Sequence, residues 1–336
     1  MKICHVSAQV FAINDELGYG GLEQVVRDIA EPQAQMGHDV TVVAPKGSKI
    51  EGCEIIETVE AKSMWGKEEE VAFAYYDYKL PDFNIVLDHS HHYHPYLTKQ
   101  NRICHLAHGL QTAIPPPVYN MITLSEFHRK DTLDRFRKDS KVVTHGIDLD
   151  KYKPNYDKKD FFVCASIMLR HKNHLSAIRA CVDVGVHLKV IGEHEFGCDP
   201  DYVREVREAC ERHGFDFLGR VSAEDKARLL GEAKAVLLPF TFPEATSLLL
   251  EESNACATPV IASKIGGIPE ILEKGVNGLT ITGLKDLTEG IIYLSTYSYL
   301  ASKKCRQYAE QHFDRKRMAQ DYLDLFKLAT KEGGEW

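Results

Sequence analysis

The fold of this chain is indicated most clearly by residues 242–270, which read FPEATSLLLEESNACATPVIASKIGGIPE. An apolar strand-like run ends just before this stretch, at Pro239, and a helix is predicted to begin near Thr246 or Ser247. A second apolar run, at 260–262, follows the helix and is closed by a glycine pair. Strand, helix and strand in this order predict a parallel sheet, whose ligand-binding loops follow the carboxyl ends of the strands.

Strand-like and helical patterns alternate along the rest of the chain. An apolar strand at Lys2–Val6 is followed by a helical face that includes Val25, Val26 and Ile29, and Pro32 predicts a kink or local break in that helix. Further strands are predicted at 40–44, 85–87, 142–144, 161–167, 187–191, 215–218, 236–238 and 260–262, and helices at 175–184, 202–213 and 224–232. This alternation predicts an α/β chain of two doubly wound, Rossmann-like domains with a cleft between them.

A polar stretch at 148–160 interrupts the pattern and predicts a domain boundary. The 336 residues suit two domains. We expect an N-terminal domain over 1–148, a second domain over 149–310, and a C-terminal helical segment over 311–336. One long helix, charged on one face, is predicted at about 303–329.

Composition argues against several classes of protein. The net charge of −8 is the opposite of what a nucleic-acid-binding protein usually carries. No apolar run approaches the ~20 residues that span a bilayer, and the first residues lack the apolar segment of a secretory signal. The nine cysteines are scattered without a C-x-x-C pair, which favours reduced thiols. We therefore expect a cytoplasmic protein with no nucleic-acid partner.

Charged side chains follow two of the predicted strands. Arg170 and Lys172 lie in the loop after the strand at 161–167, where two cations at a helix start would neutralise a diphosphate. Glu244 precedes the helix after the strand at 236–238, and Glu252 lies eight residues further on. Free N–H groups at the start of that helix suit a phosphate or a sugar hydroxyl, and the residues that would offer them are Ala245, Thr246, Ser247 and Leu248. For each charged residue, the alternative is an ordinary solvated side chain.

A glycine-rich loop at 18–23 lies between the first strand and the first helix. It is not a G-x-G-x-x-G motif, because residue 23 is glutamate, and Pro45 ends the second strand where a dinucleotide-binding protein would have an acid. This argues against a dehydrogenase. Gly20 and Gly21 still allow a phosphate or a sugar to approach the backbone closely.

Histidines cluster at 88–94, directly after the strand at 85–87. The sequence there is DHSHHYH, which looks like a metal site. A metallohydrolase pattern, H-x-H-x-D-H, would need aspartate where Tyr93 stands, and no cluster of cysteines or carboxylates nearby in the sequence completes a ligand set. We therefore expect no metal in this loop.

The stretch at 242–270 resembles the retaining glycosyltransferases of the GT-B fold, in particular glycosyltransferase family 4. Their signature is a glutamate, seven residues, a second glutamate, a small-residue turn, Thr-Pro-Val-Ile-Ala and Gly-Gly-x-Pro-Glu. The glutamates here are Glu244 and Glu252. The resemblance implies that Glu244 holds hydroxyls of the donor sugar and Glu252 holds the ribose of the nucleotide. The family's usual Gly-Phe-Gly is Ala245-Thr246-Ser247 in this chain, so the sugar is not implied.

Other loops extend the resemblance to the donor side. In the family a basic pair grips the pyrophosphate, which implies this role for Arg170 and Lys172. The Gly-Gly-x-Glu element, here with Gly20 and Gly21, faces the donor phosphates and the acceptor. The segment that ends at Val221 resembles the one that packs against the nucleobase.

The resemblance also covers the acceptor side and the end of the chain. His108 matches a histidine near the donor sugar and the acceptor. His89 and His91 would lie on the acceptor side, in a histidine-rich loop on the cleft wall. The last helix resembles the one that crosses back to the first domain.

These matches imply a hexosyltransferase that moves a sugar from a UDP- or GDP-linked donor to a hydroxyl acceptor. The acceptor would be a small molecule, a glycan or a lipid-linked molecule, and transfer would retain the anomeric configuration without a metal or other cofactor. Two alternatives stay open, a nucleotide-sugar 2-epimerase of the same fold and a non-catalytic protein that binds a sugar or nucleotide. A glycosidase is disfavoured, because eight helical residues rise about 12 Å, more than the spacing of hydrolytic carboxylates.

The acceptor itself is not indicated by the sequence. The segment 127–141 holds six lysines and arginines against three aspartates, which is compatible with a peripheral contact to an anionic membrane. A solvated helix face is the favoured interpretation of this segment.

Overall fold

The structure is a computed structural model that describes residues 1–14, 20–61, 68–98, 102–110, 118–192, 197–331 and 336. These residues form two compact units. The first comprises Met1–Gly146 with Arg315–Trp336, and the second comprises Ile147–Asp314. Gly18 and Tyr19 of the predicted glycine loop lie outside the described residues. The predicted acceptor and donor roles of the two domains stay predictions.

The first unit is built on a parallel sheet. Its described strands are β1 (Lys2–Val6), β2 (Asp39–Ala44), β3 (Glu54–Glu57), β4 (Ile85–Asp88), β5 (Ile103–Leu106), β6 (Met121–Thr123) and β7 (Lys141–Val142). They lie in the order β3-β2-β1-β4-β5-β6-β7, and neighbouring strands run parallel. The order reverses between β1 and β4, so the loops after these two strands lie at the switch point where open α/β sheets bind ligands.

Four described helices belong to this unit, α1 (Gly21–Gln35), α2 (Glu68–Phe73), α3 (Glu126–Phe136) and α10 (Arg315–Ala329). The predicted break at Pro32 is wrong, because α1 continues to Gln35. Pro32 lies in the last turn, so only one helical N–H is lost, and its carbonyl still accepts from the N–H of Met36. Helix α10 packs against α1, and Arg315 pairs with Glu31 at 2.6 Å.

The second unit contains another parallel sheet. Its described strands are β8 (Phe162–Ala165), β9 (Leu188–Ile191), β10 (Asp216–Gly219), β11 (Val236–Leu238), β12 (Val260–Ser263) and β13 (Gly278–Ile281), in the order β10-β9-β8-β11-β12-β13. Its described helices are α4 (His174–Val184), α5 (Pro200–His213), α6 (Ala223–Glu232), α7 (Leu248–Ala255), α8 (Ile268–Ile271) and α9 (Leu284–His312). The switch point lies between β8 and β11, so the loops at 166–173 and 239–247 open there.

The apolar strands of this unit are buried on both faces. Val236 and Val260 belong to one apolar cluster, whereas their neighbours Leu237 and Ile261 belong to the cluster on the other side of the sheet. Successive side chains of a strand point to opposite faces, which explains why these strands read as continuous apolar runs.

The predicted single helix at 303–329 is wrong. Helix α9 ends at His312 and α10 begins at Arg315. Between them, the buried Phe313 accepts a hydrogen bond from the N–H of Ile147 through its carbonyl, and Asp314 forms a β-bridge with Ile147. A long-range pairing therefore ends the helix. None of the described helices has the apolar length needed to cross a bilayer.

Candidate active site

The two loops at the switch point of the second unit bring Lys172 and Glu244 together. Nζ of Lys172 donates to Oε1 of Glu244 at 2.8 Å and lies 4.4 Å from the centre of the Phe240 ring. The Lys172 side chain is only 13% exposed. Nδ2 of Asn173 donates to the carbonyl of Pro239 at 3.0 Å, which joins the two loops directly. The loops after β8 and β11 therefore both hold the Lys172–Glu244 pair in place.

A glycine turn fixes the backbone of Glu244. Gly266 has a φ of +61°, and a Cβ there would lie 2.3 Å from the carbonyl oxygen of Glu244. The N–H of Gly267 donates to that oxygen at 2.9 Å. Glycine at 266 is thus required both by the backbone conformation and by the close approach of Glu244.

Helix α7 begins directly after this loop. Its N-cap is Ser247, whose Oγ accepts from the N–H of Leu250 at 3.4 Å. Oγ1 of Thr246 donates to Oε1 of Glu251 at 3.4 Å, and Ala245 is buried while Leu248 is half-buried. The start of the helix agrees with the prediction. The positive end of the helix dipole therefore lies a few residues after Glu244 in the sequence.

Glu252 lies inside α7, and only one of its carboxylate oxygens accepts hydrogen bonds from the described residues. Oε1 accepts from the hydroxyl of Tyr152 at 2.6 Å and from Nζ of Lys226 at 2.8 Å. No described residue donates to Oε2, and the side chain is 5% exposed. Val221 packs against the same apolar cluster as Tyr152. Oε2 is therefore the atom of this carboxylate that can accept a ligand hydroxyl.

Arg170 does not join Lys172 beside Glu244. Its Nε donates to Asp199 at 2.8 Å, and its two Nη atoms donate to Glu205 at 2.9 and 3.1 Å. The hydrogen bonds to Glu205, and then the charges of Glu205 and Asp199, raise the pKa of Arg170 above its usual value. Binding a diphosphate would require Arg170 to release two carboxylates. The predicted contact with the pyrophosphate is therefore less well supported for Arg170 than for Lys172.

A cavity of about 460 Å³ opens in the same unit, at the carboxyl ends of β11, β12 and β13. Its lining includes Asn173, which follows Lys172 in the chain, and Phe240, whose ring centre lies 4.4 Å from Nζ of Lys172. Lys264 and Thr282 also line the cavity. A cavity of this size falls within the range of small-molecule sites. It lies next to the loops that carry the Lys172–Glu244 pair.

In the first unit, three histidines form a buried row. Nε2 of His5 lies 2.9 Å from Oε1 of Gln33, and Nδ1 of His5 lies 3.1 Å from Nε2 of His89. Nδ1 of His89 lies 2.9 Å from Nε2 of His108. Burial lowers the pKa of His5 to about 4 and the pKa values of His89 and His108 well below their usual value. The row is therefore uncharged at neutral pH.

This burial changes the interpretation of His89, which was predicted on the acceptor side. Its side chain is fully enclosed, and its ring nitrogens face His5 and His108. His89 lies behind the half-buried His108, where it can orient that residue. The predicted His91 is 46% exposed and stays available to a ligand.

Glu69, which α2 brings to the histidine loop, was not predicted from any local pattern. Its carboxylate accepts hydrogen bonds from the N–H groups and the Nδ1 atoms of both His91 and His92, at 2.7–3.2 Å. Burial alone would raise the pKa of Glu69, but these hydrogen bonds and the charge of His91 outweigh it and lower the pKa to about 2. The hydrogen bond to Glu69 raises the pKa of His91.

A carboxylate from outside the loop therefore lies beside these histidines. Glu69, His92 and His94 each place one ligand atom within 4.8 Å of the others. The carboxylate already accepts hydrogen bonds from two residues of the loop, so we interpret it as the anchor of that loop. The predicted absence of a metal stays a prediction.

The glycine loop precedes α1. Gly20 has a φ of 137°, and its carbonyl accepts from the N–H of Gln24 at 3.0 Å, while Gly21 is exposed at the first position of the helix. Glu23 is buried in the first turn. Burial raises the pKa of Glu23 to about 7, although N–H groups of Glu23 itself and of Phe11 act in the opposite direction.

Residues 148–312 match the family model of the glycosyl transferases group 1. A D-inositol 3-phosphate glycosyltransferase from Mycobacterium sp. (strain KMS) is 37% identical over 67 residues, which is 20% of this chain and 15% of that protein. The chain spans less than half the length of the curated relatives that it matches, 39% of one and 15% of another.

Solved structures resemble the chain over almost its whole length. Sucrose-phosphate synthase from Thermosynechococcus elongatus has a TM-score of 0.79 at 16% identity, covering 97% of this chain and 98% of that one. Anabaena Alr3699/HepE in complex with UDP has a TM-score of 0.73 at 18% identity, covering 97% and 100%. Likeness at this identity establishes the fold, and it confirms the predicted GT-B class of two Rossmann-like domains.

Residues 148–312 thus form a group 1 glycosyltransferase domain, and the fold of the chain agrees with that class. The predicted resemblance and the predicted class of enzyme are confirmed.

Proposed function

We propose that this protein transfers a hexose from a UDP-sugar to a hydroxyl acceptor, with retention of the anomeric configuration and without a metal ion. The Lys172–Glu244 pair at the switch point of the second unit carries this proposal. The group 1 domain over 148–312 supports a nucleotide-sugar donor. The structures of Anabaena Alr3699/HepE with UDP and with UDP-glucose favour UDP over GDP.

Donor binding begins with an exchange of partners at Lys172. A diphosphate carries more negative charge than one carboxylate, so it displaces Glu244 from the ammonium group. N–H groups at the start of α7 add further positive potential. The released Glu244 carboxylate then accepts hydrogen bonds from hydroxyls of the sugar. Because Lys172 and the helix end neutralise the diphosphate, transfer does not need a divalent cation.

Glu252 holds the nucleotide end of the donor. Tyr152 and Lys226 fix Oε1, which leaves Oε2 to accept a hydrogen bond from a ribose hydroxyl. A carboxylate oriented in this way favours a neutral diol over a phosphate. The two glutamates thus bind two different parts of one donor and do not act as an acid–base pair.

The chemical step needs no protein nucleophile. The bond between the anomeric carbon and the leaving diphosphate breaks, and a bond from that carbon to the acceptor oxygen forms on the same face. The proton of the acceptor hydroxyl passes to the leaving diphosphate oxygen. The protein positions both substrates and stabilises the charge that develops on the diphosphate, which are the two largest contributions available to it.

The test is a release assay with UDP-glucose, UDP-galactose, UDP-N-acetylglucosamine and GDP-mannose in the presence of EDTA, with and without a panel of hydroxyl acceptors. We expect UDP to raise the melting temperature, one UDP-sugar to be consumed, and NMR to show an α-linked product from the α-linked donor. Formation of a 2-epimer without an acceptor would favour the epimerase. Binding without turnover of any donor would favour the binding protein, and no stabilisation by any nucleoside diphosphate would contradict both the transferase and the epimerase.

A further inference from the structure

The row of histidines in the first unit is not used by the chemistry described above. His5 lies on β1, His89 follows β4, and His108 follows β5, and these three strands are neighbours in the sheet. Their side chains therefore meet in one line, which begins at Gln33 of α1. Gln33, His5 and His89 are fully buried, whereas His108 is half-buried.

Each ring in this row is constrained by the one before it. A neutral imidazole has one N–H donor and one acceptor nitrogen, and an amide oxygen only accepts. Oε1 of Gln33 therefore requires the proton of His5 on Nε2, so Nδ1 of His5 must accept from Nε2–H of His89. By the same rule, Nδ1 of His89 must accept from Nε2–H of His108.

We propose that Gln33, acting through His5 and His89, fixes the tautomer of His108 so that its Nδ1 is a hydrogen-bond acceptor for a ligand hydroxyl. No described residue donates to this nitrogen. An acceptor nitrogen selects an O–H group of the sugar or of the acceptor, and it rejects phosphate and carboxylate oxygens. Gln33, His5 and His89 are then positioning residues, and His108 is the residue that touches the substrate of the proposed transfer, on which this inference rests.

The burial of the row supports the neutral state that this arrangement requires. Burial is the main cause that lowers the pKa of each of the three rings. His145, His105, His91 and His128 are the titratable neighbours that lower the pKa of His108 further. An imidazolium in the row would present two donors and break the one-way order of hydrogen bonds.

The direct test is long-range ¹H–¹⁵N NMR on the full chain labelled with ¹⁵N-histidine at pH 7. Signals are assigned with the variants His5→Gln, His89→Gln and His108→Gln. We expect neutral rings with the proton on Nε2 for all three residues. A proton on Nδ1 of His108, or a doubly protonated His108, would overturn the proposal. This readout does not depend on activity, so it separates the failure of this inference from failure of the proposed transfer.

A second arm compares Gln33→Met with Gln24→Met. Both residues are buried glutamines of α1, but Gln24 donates to Asp28 and has no part in the row. We expect Gln33→Met to convert His108 to a mixture of tautomers and to lower kcat/KM for the UDP-sugar about tenfold, the size of one lost hydrogen bond. Gln24→Met should leave the tautomer unchanged. If His108 keeps the Nε2–H tautomer in Gln33→Met, Gln33 does not control it and the proposal fails.

Discussion

The two units present opposite chemistry at their candidate sites. In the second unit the central contact is an ion pair, Lys172 with Glu244, in which each side chain keeps some access to solvent. In the first unit the central feature is a row of buried, neutral histidines that ends at the half-buried His108. An ion pair can exchange one partner for a charged ligand, whereas a neutral row can only orient a single acceptor nitrogen.

Under the proposed function, this difference gives the two sites separate tasks. The charged site suits the diphosphate, whose charge grows as the donor bond breaks. The neutral site suits a hydroxyl, which has to be oriented but does not have to be neutralised. Substitutions that alter one site and leave the other intact can therefore separate the two tasks.

The largest effect is expected for Lys172→Met. Removing the ammonium group should lower kcat/KM for the UDP-sugar by about 10²–10³-fold, because a preorganised charge at the leaving group is lost. Steady-state release of UDP measures this directly. The matched control is Lys159→Met, which removes an ion pair with Glu232 of similar length on the surface of the same unit. Equal losses of kcat/KM in both variants would contradict a role for Lys172 in binding the donor.

Gly266→Ala should have the next largest effect. The added Cβ would meet the carbonyl oxygen of Glu244 at 2.3 Å, so the loop must move and Glu244 with it. We expect about 100-fold lower activity and a lower melting temperature. Gly275→Ala is the control, since Gly275 also has a positive φ of +79° but open space around it. If the two variants lose the same activity, backbone strain and not the position of Glu244 is responsible.

The pH dependence of stability gives a third prediction. The folded pKa of Glu23, about 7, exceeds its usual value of 4.5, so the stability that protonation of Glu23 contributes is full below pH 4.5 and falls as the pH rises to 7. Glu23→Gln should therefore stabilise the protein increasingly over this range, by at most about 3 kcal/mol above pH 7. Urea unfolding at pH 4.5, 6 and 8 measures it.

The control for this prediction is Glu224→Gln, which changes an exposed acid in the first turn of α6. Its stability should follow that of the wild type at each pH. A constant difference between Glu23→Gln and the wild type from pH 4.5 to 8 would mean that the carboxyl of Glu23 titrates alike in the folded and unfolded chain.

The smallest effect is expected for Tyr152→Phe. Glu252 keeps Lys226 but loses one hydrogen bond on Oε1, so donor KM should rise about five- to tenfold with little change in kcat. Tyr308→Phe is the control, because the Tyr308 hydroxyl forms no hydrogen bond within the described part of the chain. A change in kcat alone would argue that Glu252 acts in the chemical step.

Much of the fold followed from local patterns. Strands buried on both faces read as apolar runs, so β1, β2, β4, β8, β9, β11 and β12 were predictable. Two edge strands, β7 and β10, overlap the strands predicted at 142–144 and 215–218. Edge strand β3 was missed because it is short and carries charges at both ends, Glu54 and Glu57. The break between α9 and α10 was missed for another reason, since it depends on pairing with Ile147, which is distant in sequence.

The candidate site divides in the same way. The start of α7 and the loops with Lys172 and Glu244 follow strands directly, so their neighbourhood could be predicted from topology. The partners of these residues could not. Tyr152 lies 100 positions from Glu252, and Glu69 reaches the histidine loop from a helix more than 20 residues earlier. Contacts of this kind are set by tertiary packing, and no local pattern reports them.

Displacement of Glu244 from Lys172 by a diphosphate can be measured through the affinity of the Glu244→Gln variant for UDP. Calorimetry would compare the wild type and the variant with UDP, which lacks the sugar. If the diphosphate competes with Glu244 for Lys172, removing the charge of Glu244 should tighten UDP binding severalfold, while turnover of the UDP-sugar falls. Weaker binding of UDP by Glu244→Gln would contradict the exchange.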